Sequence, residues 1–149
     1  MKKTAIYNFL PALIALAGFI AVGTVFAEDA VLKDIAETEI TISELKLKQL
    51  VQKIGWSEQK SAEVEEDLMK SPFYLKSRDE FFSISRQAAE SKRRLELAEA
   101  SAGRVDPQME QRVLELELEL KKAALRMENA KLEHYLLSLI HISEPTRPY

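Results

Sequence analysis

Residues 107–136 read P-Q-M-E-Q-R-V-L-E-L-E-L-E-L-K-K-A-A-L-R-M-E-N-A-K-L-E-H-Y-L, and this stretch decides the fold. It begins with Asp106 and Pro107, the pattern of a helix N-cap followed by a first-turn proline. Residues 113–120 alternate like a strand, but leucine and glutamate are good helix formers and no turn residue bounds the passage. We therefore predict a helix from residue 107 to at least residue 136.

The residues before this stretch predict a second long helix. Ser71 and Pro72 repeat the cap-and-proline start, and Gly103 suits the left-handed position that ends many helices. The predicted helix covers residues 72–102. Both helices carry apolar or small residues at alternating steps of three and four, which is the heptad repeat of a coiled coil. The seam positions are Phe81, Ile84, Ala88, Ser91, Leu95, Ala98 and Ala102 in the first helix, and Met109, Val113, Leu116, Leu120, Ala123, Met127 and Ala130 in the second.

A turn between the two helices predicts an antiparallel coiled-coil hairpin. Folding the chain back at residues 105–106 sets Leu95 opposite Leu116 and brings every other seam residue opposite a seam residue. The same register sets Glu80 opposite Glu133, and the repulsion of such an exposed pair is small beside the packing of the seam. The predicted tip, a candidate contact for a partner protein, consists of Gly103, Arg104 and Val105.

The second hairpin helix carries another apolar stripe on its opposite face. A helix that is apolar on two faces needs two partners, and the first helix of the hairpin supplies only one. The other partner is either the preceding segment, residues 28–70, or a neighbouring protein chain, and the sequence leaves both open. The stripe that would make this lateral contact consists of Leu114, Leu118, Leu125 and Leu132, continued by Leu136.

Residues 28–70 predict a helical segment with a break at Gly55. Ile40, Leu47, Leu50, Ile54, Val64 and Leu68 follow a similar repeat in this segment and are its candidate packing face. Residues 39–42 alternate like a strand, but Thr41 and Glu44 could equally form a capping box that begins a helix there. The predicted fold class is therefore all-α: a signal peptide, one or two helices, and the hairpin.

The N-terminus has the pattern of a signal peptide. Lys2 and Lys3 precede an apolar core at residues 9–22, and Val25-Phe26-Ala27 places small residues at the two recognition positions before a cleavage site. We expect residues 1–27 to be removed and the protein to reach the periplasm. The alternative is an uncleaved helix that anchors the chain in the inner membrane, which would be its one contact with a membrane.

The last residues resemble no protein segment. Residues 137–147, L-S-L-I-H-I-S-E-P-T-R, resemble a translated transposase-type sequencing adaptor. Residues 137–149 are therefore interpreted as non-native read-through and excluded from reasoning about function.

The composition points away from enzymatic chemistry. The 149-residue chain has no cysteine, two histidines and a formal net charge of −3. His141 lies in the suspected read-through, and a lone His134 on a helix is typical of a surface or packing residue. Neither a phosphate-binding loop nor a hydrolase or metalloprotease motif is present. We predict a non-enzyme without cofactor or metal, whose partners are proteins and not nucleic acid.

Two segments resemble a known family. Residues 93–104, R-R-L-E-L-A-E-A-S-A-G-R, end the ascending helix, and residues 125–136, L-R-M-E-N-A-K-L-E-H-Y-L, end the descending helix. Together they resemble the coiled-coil hairpin of bacterial membrane-fusion proteins, the periplasmic adaptors of efflux and secretion systems. The resemblance implies an envelope assembly protein whose tip contacts an outer-membrane channel. The β-rich half-motif that the family places before its hairpin has no counterpart in residues 28–42.

Two other functions fit the sequence. One is a structural spacer of the envelope. The other is a periplasmic holdase or stress-response hairpin that binds unfolded clients through exposed aromatic residues. Its client surface would consist of Phe73, Tyr74, Phe81 and Phe82.

Overall fold

The computed structural model describes the backbone of residues 10–143 and the side chains of residues 27–140. The described chain consists of four helices: α1 (Leu10–Lys53), α2 (Glu58–Leu68), α3 (Pro72–Ala102) and α4 (Pro107–Ser143). These residues contain no strand, which confirms the all-α class. Residues 1–9 of the predicted signal peptide and residues 144–149 of the suspected read-through lie outside the described part.

The helix ends follow the predicted capping signals. Ser71 accepts a hydrogen bond from the Tyr74 backbone N–H before Pro72 opens α3. Gly103 closes α3 with φ 61°, and Gly55 separates α1 from α2 with φ 89°. A side chain is strained at such positive φ values, so glycine allows both turns.

Two passages that resemble strands are helical. Residues 113–120 lie within α4, as composition predicted. Residues 39–42 lie inside α1, so they form neither a strand nor a helix start. The Thr41 hydroxyl donates back to the Glu37 carbonyl at 3.0 Å, which uses the side chain within the helix. α4 continues to Ser143, beyond the predicted minimum and into the suspected read-through.

α4 is the central helix, and the other three pack against it. α3 runs antiparallel to α4 and forms the predicted hairpin. α1 runs parallel to α4, because Glu39 meets Lys121 and, further along both helices, Gln49 meets Glu128. The axis of this arrangement is a row of buried α4 residues at heptad intervals: Leu116, Ala123 and Ala130.

The register of the hairpin differs from the predicted one by one heptad. Glu80 pairs with Arg126 at 2.6 Å instead of opposing Glu133. Ala88 lines one cavity with Val113 and Leu120, the two seam neighbours of Leu116. Ala88 therefore lies opposite Leu116, whereas the predicted register set it opposite Ala123.

The turn explains the displacement. The last turn of α3 extends past the helix contact, and its final residue Ala102 is exposed. Residues 103–106 then return beside it, and Val105 becomes half-buried. Because a heptad repeat looks the same after a shift of seven residues, both registers keep seam against seam.

Candidate interaction surfaces

α1 has two apolar faces, and only one of them contacts the rest of the chain. The inner face, formed by Ile35, Ile42, Leu45 and Gln49, is buried. On the opposite side, six residues at alternating steps of four and three form what we call the outer stripe: Ala36, Ile40, Ser43, Leu47, Leu50 and Ile54. Ile40, Leu47, Leu50 and Ile54 are 61%, 62%, 63% and 78% exposed. The prediction that these four residues pack inside the chain is wrong.

A buried polar contact fixes the rotation of α1. The Gln49 side-chain amide donates to the Glu128 backbone carbonyl at 3.0 Å and to its carboxylate at 2.7 Å. Both residues are buried, and a buried amide or carboxylate without a partner is costly. Turning the outer stripe of α1 towards α4 would break both bonds, so this contact holds the stripe on the surface.

Charges along α1 are separated into two blocks. Residues 34–44 contain Asp34, Glu37, Glu39 and Glu44 and no basic residue, whereas residues 46–53 contain Lys46, Lys48 and Lys53 and no acidic residue. Glu37, Glu44, Lys46 and Lys48 are exposed. The outer stripe therefore has an acidic N-terminal half and a basic C-terminal half.

The lateral stripe predicted on α4 lies beside α1. Leu114, Leu118, Leu125 and Leu132 are each half-buried, and Leu136 is 41% exposed. Lys121 and Glu128, which bond to α1, flank Leu125 on the same side of α4. Of the two open alternatives for a second partner of α4, the structure favours the preceding segment of the same chain.

The predicted tip is small and mostly polar at its surface. Gly103 and Arg104 are exposed, and Val105 is half-buried. The Gly103 backbone N–H donates to the Glu99 carbonyl at 3.0 Å and closes α3. The tip presents one cationic side chain and no continuous apolar surface.

The four aromatic residues proposed as a client surface are divided. Phe73 and Phe82 are 57% and 53% exposed, whereas Tyr74 is buried. Phe81 is half-buried and contacts Phe82 edge-to-face, with ring centroids 5.6 Å apart. Only two of the four side chains are therefore available to a client.

A cluster of aromatic and charged groups joins α1, α2 and α4. Tyr135 is fully buried, and Trp56 meets its ring edge-on with centroids 5.5 Å apart. The Tyr135 hydroxyl and the Lys53 ammonium each donate to the same Glu65 carboxylate oxygen at 2.5 Å. The Lys53 nitrogen also lies 4.9 Å from the centre of the Tyr135 ring. Sequence reasoning missed this cluster, because its members are far apart in the chain.

The cluster shifts the pKa values of both acidic groups. Burial raises the pKa of the Glu65 carboxyl, but the hydrogen bonds from Lys53 and Tyr135 lower it further, to a net value below the ordinary 4.5. Burial, followed by the hydrogen bond to Glu65, raises the pKa of the Tyr135 phenol. A carboxylate held ionised by two donors is a structural contact, and it joins three helices.

Acidification is expected to weaken this contact. A carboxyl with a depressed folded pKa stabilises the fold above its unfolded pKa, and this contribution is lost as the pH falls through the folded pKa. The free energy of unfolding should therefore decrease as the pH falls below about 4.5. Urea titrations should show a smaller decrease for Glu65→Gln, and equal decreases in the two proteins would contradict the role of Glu65.

The described part of the chain offers little for other chemistry. No group of His, Asp or Glu in it could hold a metal ion. The His134 Nε2 atom is buried without a hydrogen-bond partner among the described atoms. No helix among the residues searched is long and apolar enough to cross a membrane.

Comparison with known proteins returned no similarity. No family model, curated protein or solved structure matches the chain. The functional argument therefore depends on the geometry of the chain itself, and the outer stripe of α1 is its most prominent surface feature.

Proposed function

We propose that this protein is an exported, non-enzymatic helical protein of the cell envelope, and that it acts by binding another protein through the outer stripe of α1. The carrying observation is the combination of a heptad-spaced apolar line with exposures of 61–78% at its four large residues. Single exposed apolar side chains are common on protein surfaces. A line with coiled-coil spacing fits a partner helix.

The energy at stake is sufficient for recognition. Covering a fully exposed Leu or Ile side chain contributes about 1.5–3 kcal/mol, and the four large side chains are already partly covered, so about 1–2 kcal/mol remains for each. Part of this gain is offset by the entropy lost on association. A reversible protein contact is the expected result.

A finer version of the proposal makes the protein the hairpin of an efflux or secretion adaptor. Its support is the resemblance of residues 93–104 and 125–136 to that family. In this version Gly103, Arg104 and Val105 contact an outer-membrane channel, and the parallel helix α1 is an addition to the two-helix hairpin.

A second candidate function is client holding. The observation that favours it is the exposure of Phe73 and Phe82 at 57% and 53% on α3. A holdase contacts many clients weakly, whereas an assembly protein contacts one partner at a defined surface. The two functions therefore differ in how many crosslinked species the protein forms.

The test combines location with contact. The full chain with its own N-terminus is expressed in a Gram-negative host, with a photo-crosslinking amino acid at Leu47 or, in the control, at Leu97. These leucines have matched exposures of 62% and 59%, but Leu97 lies on α3.

We expect a periplasmic product that begins at Glu28 and one discrete crosslinked species from position 47, with none from position 97. Retention in the cytoplasm would contradict export. Equal crosslinking from both positions would contradict the surface, and a continuous smear of species would favour client holding.

A further inference from the structure

The outer stripe of α1 is suited to a helix like itself. Its large residues Ile40, Leu47 and Leu50 alternate with the small residues Ala36 and Ser43. In an antiparallel pair centred near residue 45, every small residue lies opposite a large one. Such alternation lets facing layers interdigitate.

Charge identifies the occupant and its direction. The acidic block at residues 34–44 and the basic block at residues 46–53 are complementary when two copies of α1 run in opposite directions. Glu39 of each copy then lies beside Lys53 of the other, and like charges meet only near the crossing point. A parallel pair would place acid against acid and base against base along its whole length, which is unfavourable at coiled-coil flanks.

We propose that a second copy of this chain covers the outer stripe and forms an antiparallel two-fold dimer through α1. Ile40 lies opposite the partner subunit's Leu50, and Ser43 lies opposite the partner subunit's Leu47. This inference rests on the proposed function and names the partner of the same surface. A two-fold axis makes the contact self-complementary and closed, so it ends at a dimer.

The geometry of α4 agrees with such a dimer. The Gln49–Glu128 contact and the Glu39–Lys121 ion pair, 2.5 Å long, hold α1 on α4 on the side away from the stripe. The second copy therefore adds to a helix that is already fixed. Each hairpin lies outside the α1 pair, and the dimer has two tips at opposite ends.

Single cysteines test the direction, because the native chain has none. A mixture of full-length Ile40→Cys and Ile-to-native Leu50→Cys chains, isolated from the host envelope, should give a disulfide-linked dimer under mild oxidation. Each variant alone should give little, because the two equivalent cysteines lie ten residues apart along an antiparallel pair, about 15 Å. Efficient linking of Ile40→Cys with itself would overturn the antiparallel direction.

A second pair of variants tests the surface without cysteine. Leu47→Asn should shift the mass measured by light scattering from twice 17.0 kDa, less any cleaved signal peptide, to the single-chain value. Leu97→Asn, with matched exposure on α3, should leave the dimer intact. Circular dichroism should show the same helicity for both, since neither leucine is buried.

The outcomes separate this inference from the proposed function. A chain that is monomeric in solution, yet gives a discrete crosslinked species with another protein from position 47, would overturn self-association and leave the proposed function standing. A monomer that forms no crosslink at position 47 would contradict both.

Discussion

Replacing Tyr135 with alanine is expected to lower the free energy of unfolding by about 3–5 kcal/mol, the range for removing a large aromatic side chain from a core. Tyr135 is fully buried and belongs to a core cluster with Val64, Leu68, Tyr74 and Ala130. Its removal leaves a cavity at the point where α1, α2 and α4 meet. Urea unfolding followed by circular dichroism measures the loss.

Two control variants separate the ring from the hydroxyl. Tyr135→Phe keeps the edge-on contact with Trp56 and removes only the hydrogen bond to Glu65, so a loss of about 1–3 kcal/mol is expected. Leu136→Ala, next in the sequence but 41% exposed, should cost clearly less than Tyr135→Ala. Equal losses for Leu136→Ala and Tyr135→Ala would show that the cluster does not form the core.

The predicted loss is large because one side chain joins three helices. α2 is short and has few contacts other than those with α4, so its position depends on Val64, Leu68 and the Glu65 contact. The Lys53 ammonium fixes the end of α1 to the same carboxylate. A defect at Tyr135 therefore weakens the placement of α1, and with it the orientation of the outer stripe.

Local signals in the sequence predicted the helices well. Ser71-Pro72 and Gly103 placed α3 at residues 72–102, as the structure has it, and Gly55 marked the break after α1. Capping and turn chemistry depend on a few adjacent residues, so a single sequence contains them. The all-α class and the hairpin followed from composition and the heptad repeat.

The face of α1 was not predictable from its apolar pattern. Ile40, Leu47, Leu50 and Ile54 form the more continuous apolar line, so the sequence indicated them as the packing face. The structure instead buries a line that contains Gln49, because Glu128 of α4 satisfies its amide. A polar residue on a buried face is identified only when its partner is known, and this partner is distant in the sequence.

The cluster around Tyr135 escaped prediction for a related reason. Lys53, Glu65 and Tyr135 belong to three helices, and no spacing rule connects them. Each alone resembles an ordinary surface or seam residue. Parallel packing of α1 on α4, which brings Lys53 to Tyr135, was itself not indicated by the sequence.

Disulfide formation within one chain is expected to distinguish the two hairpin registers completely. The contacts of Glu80 with Arg126 and of Ala88 with Val113 and Leu120 correspond to a shift of one heptad, which sets Leu95 opposite Met109. The double variant Leu95→Cys/Met109→Cys should therefore oxidise readily. Leu95→Cys/Leu116→Cys should not, because seven residues along a helix is about 10 Å, outside disulfide reach.

Charge and the turn both favour the displaced register. The shift replaces the repulsion of Glu80 and Glu133 with the 2.6 Å ion pair of Glu80 and Arg126. It also leaves the last turn of α3 without a facing helix, which removes the contact of Ala102 with Met109. Loss of one alanine contact is a small cost, because alanine buries little apolar area. If Leu95→Cys/Leu116→Cys oxidised and Leu95→Cys/Met109→Cys did not, the hairpin would have the register with the tight turn, and Ala102 would be buried against Met109.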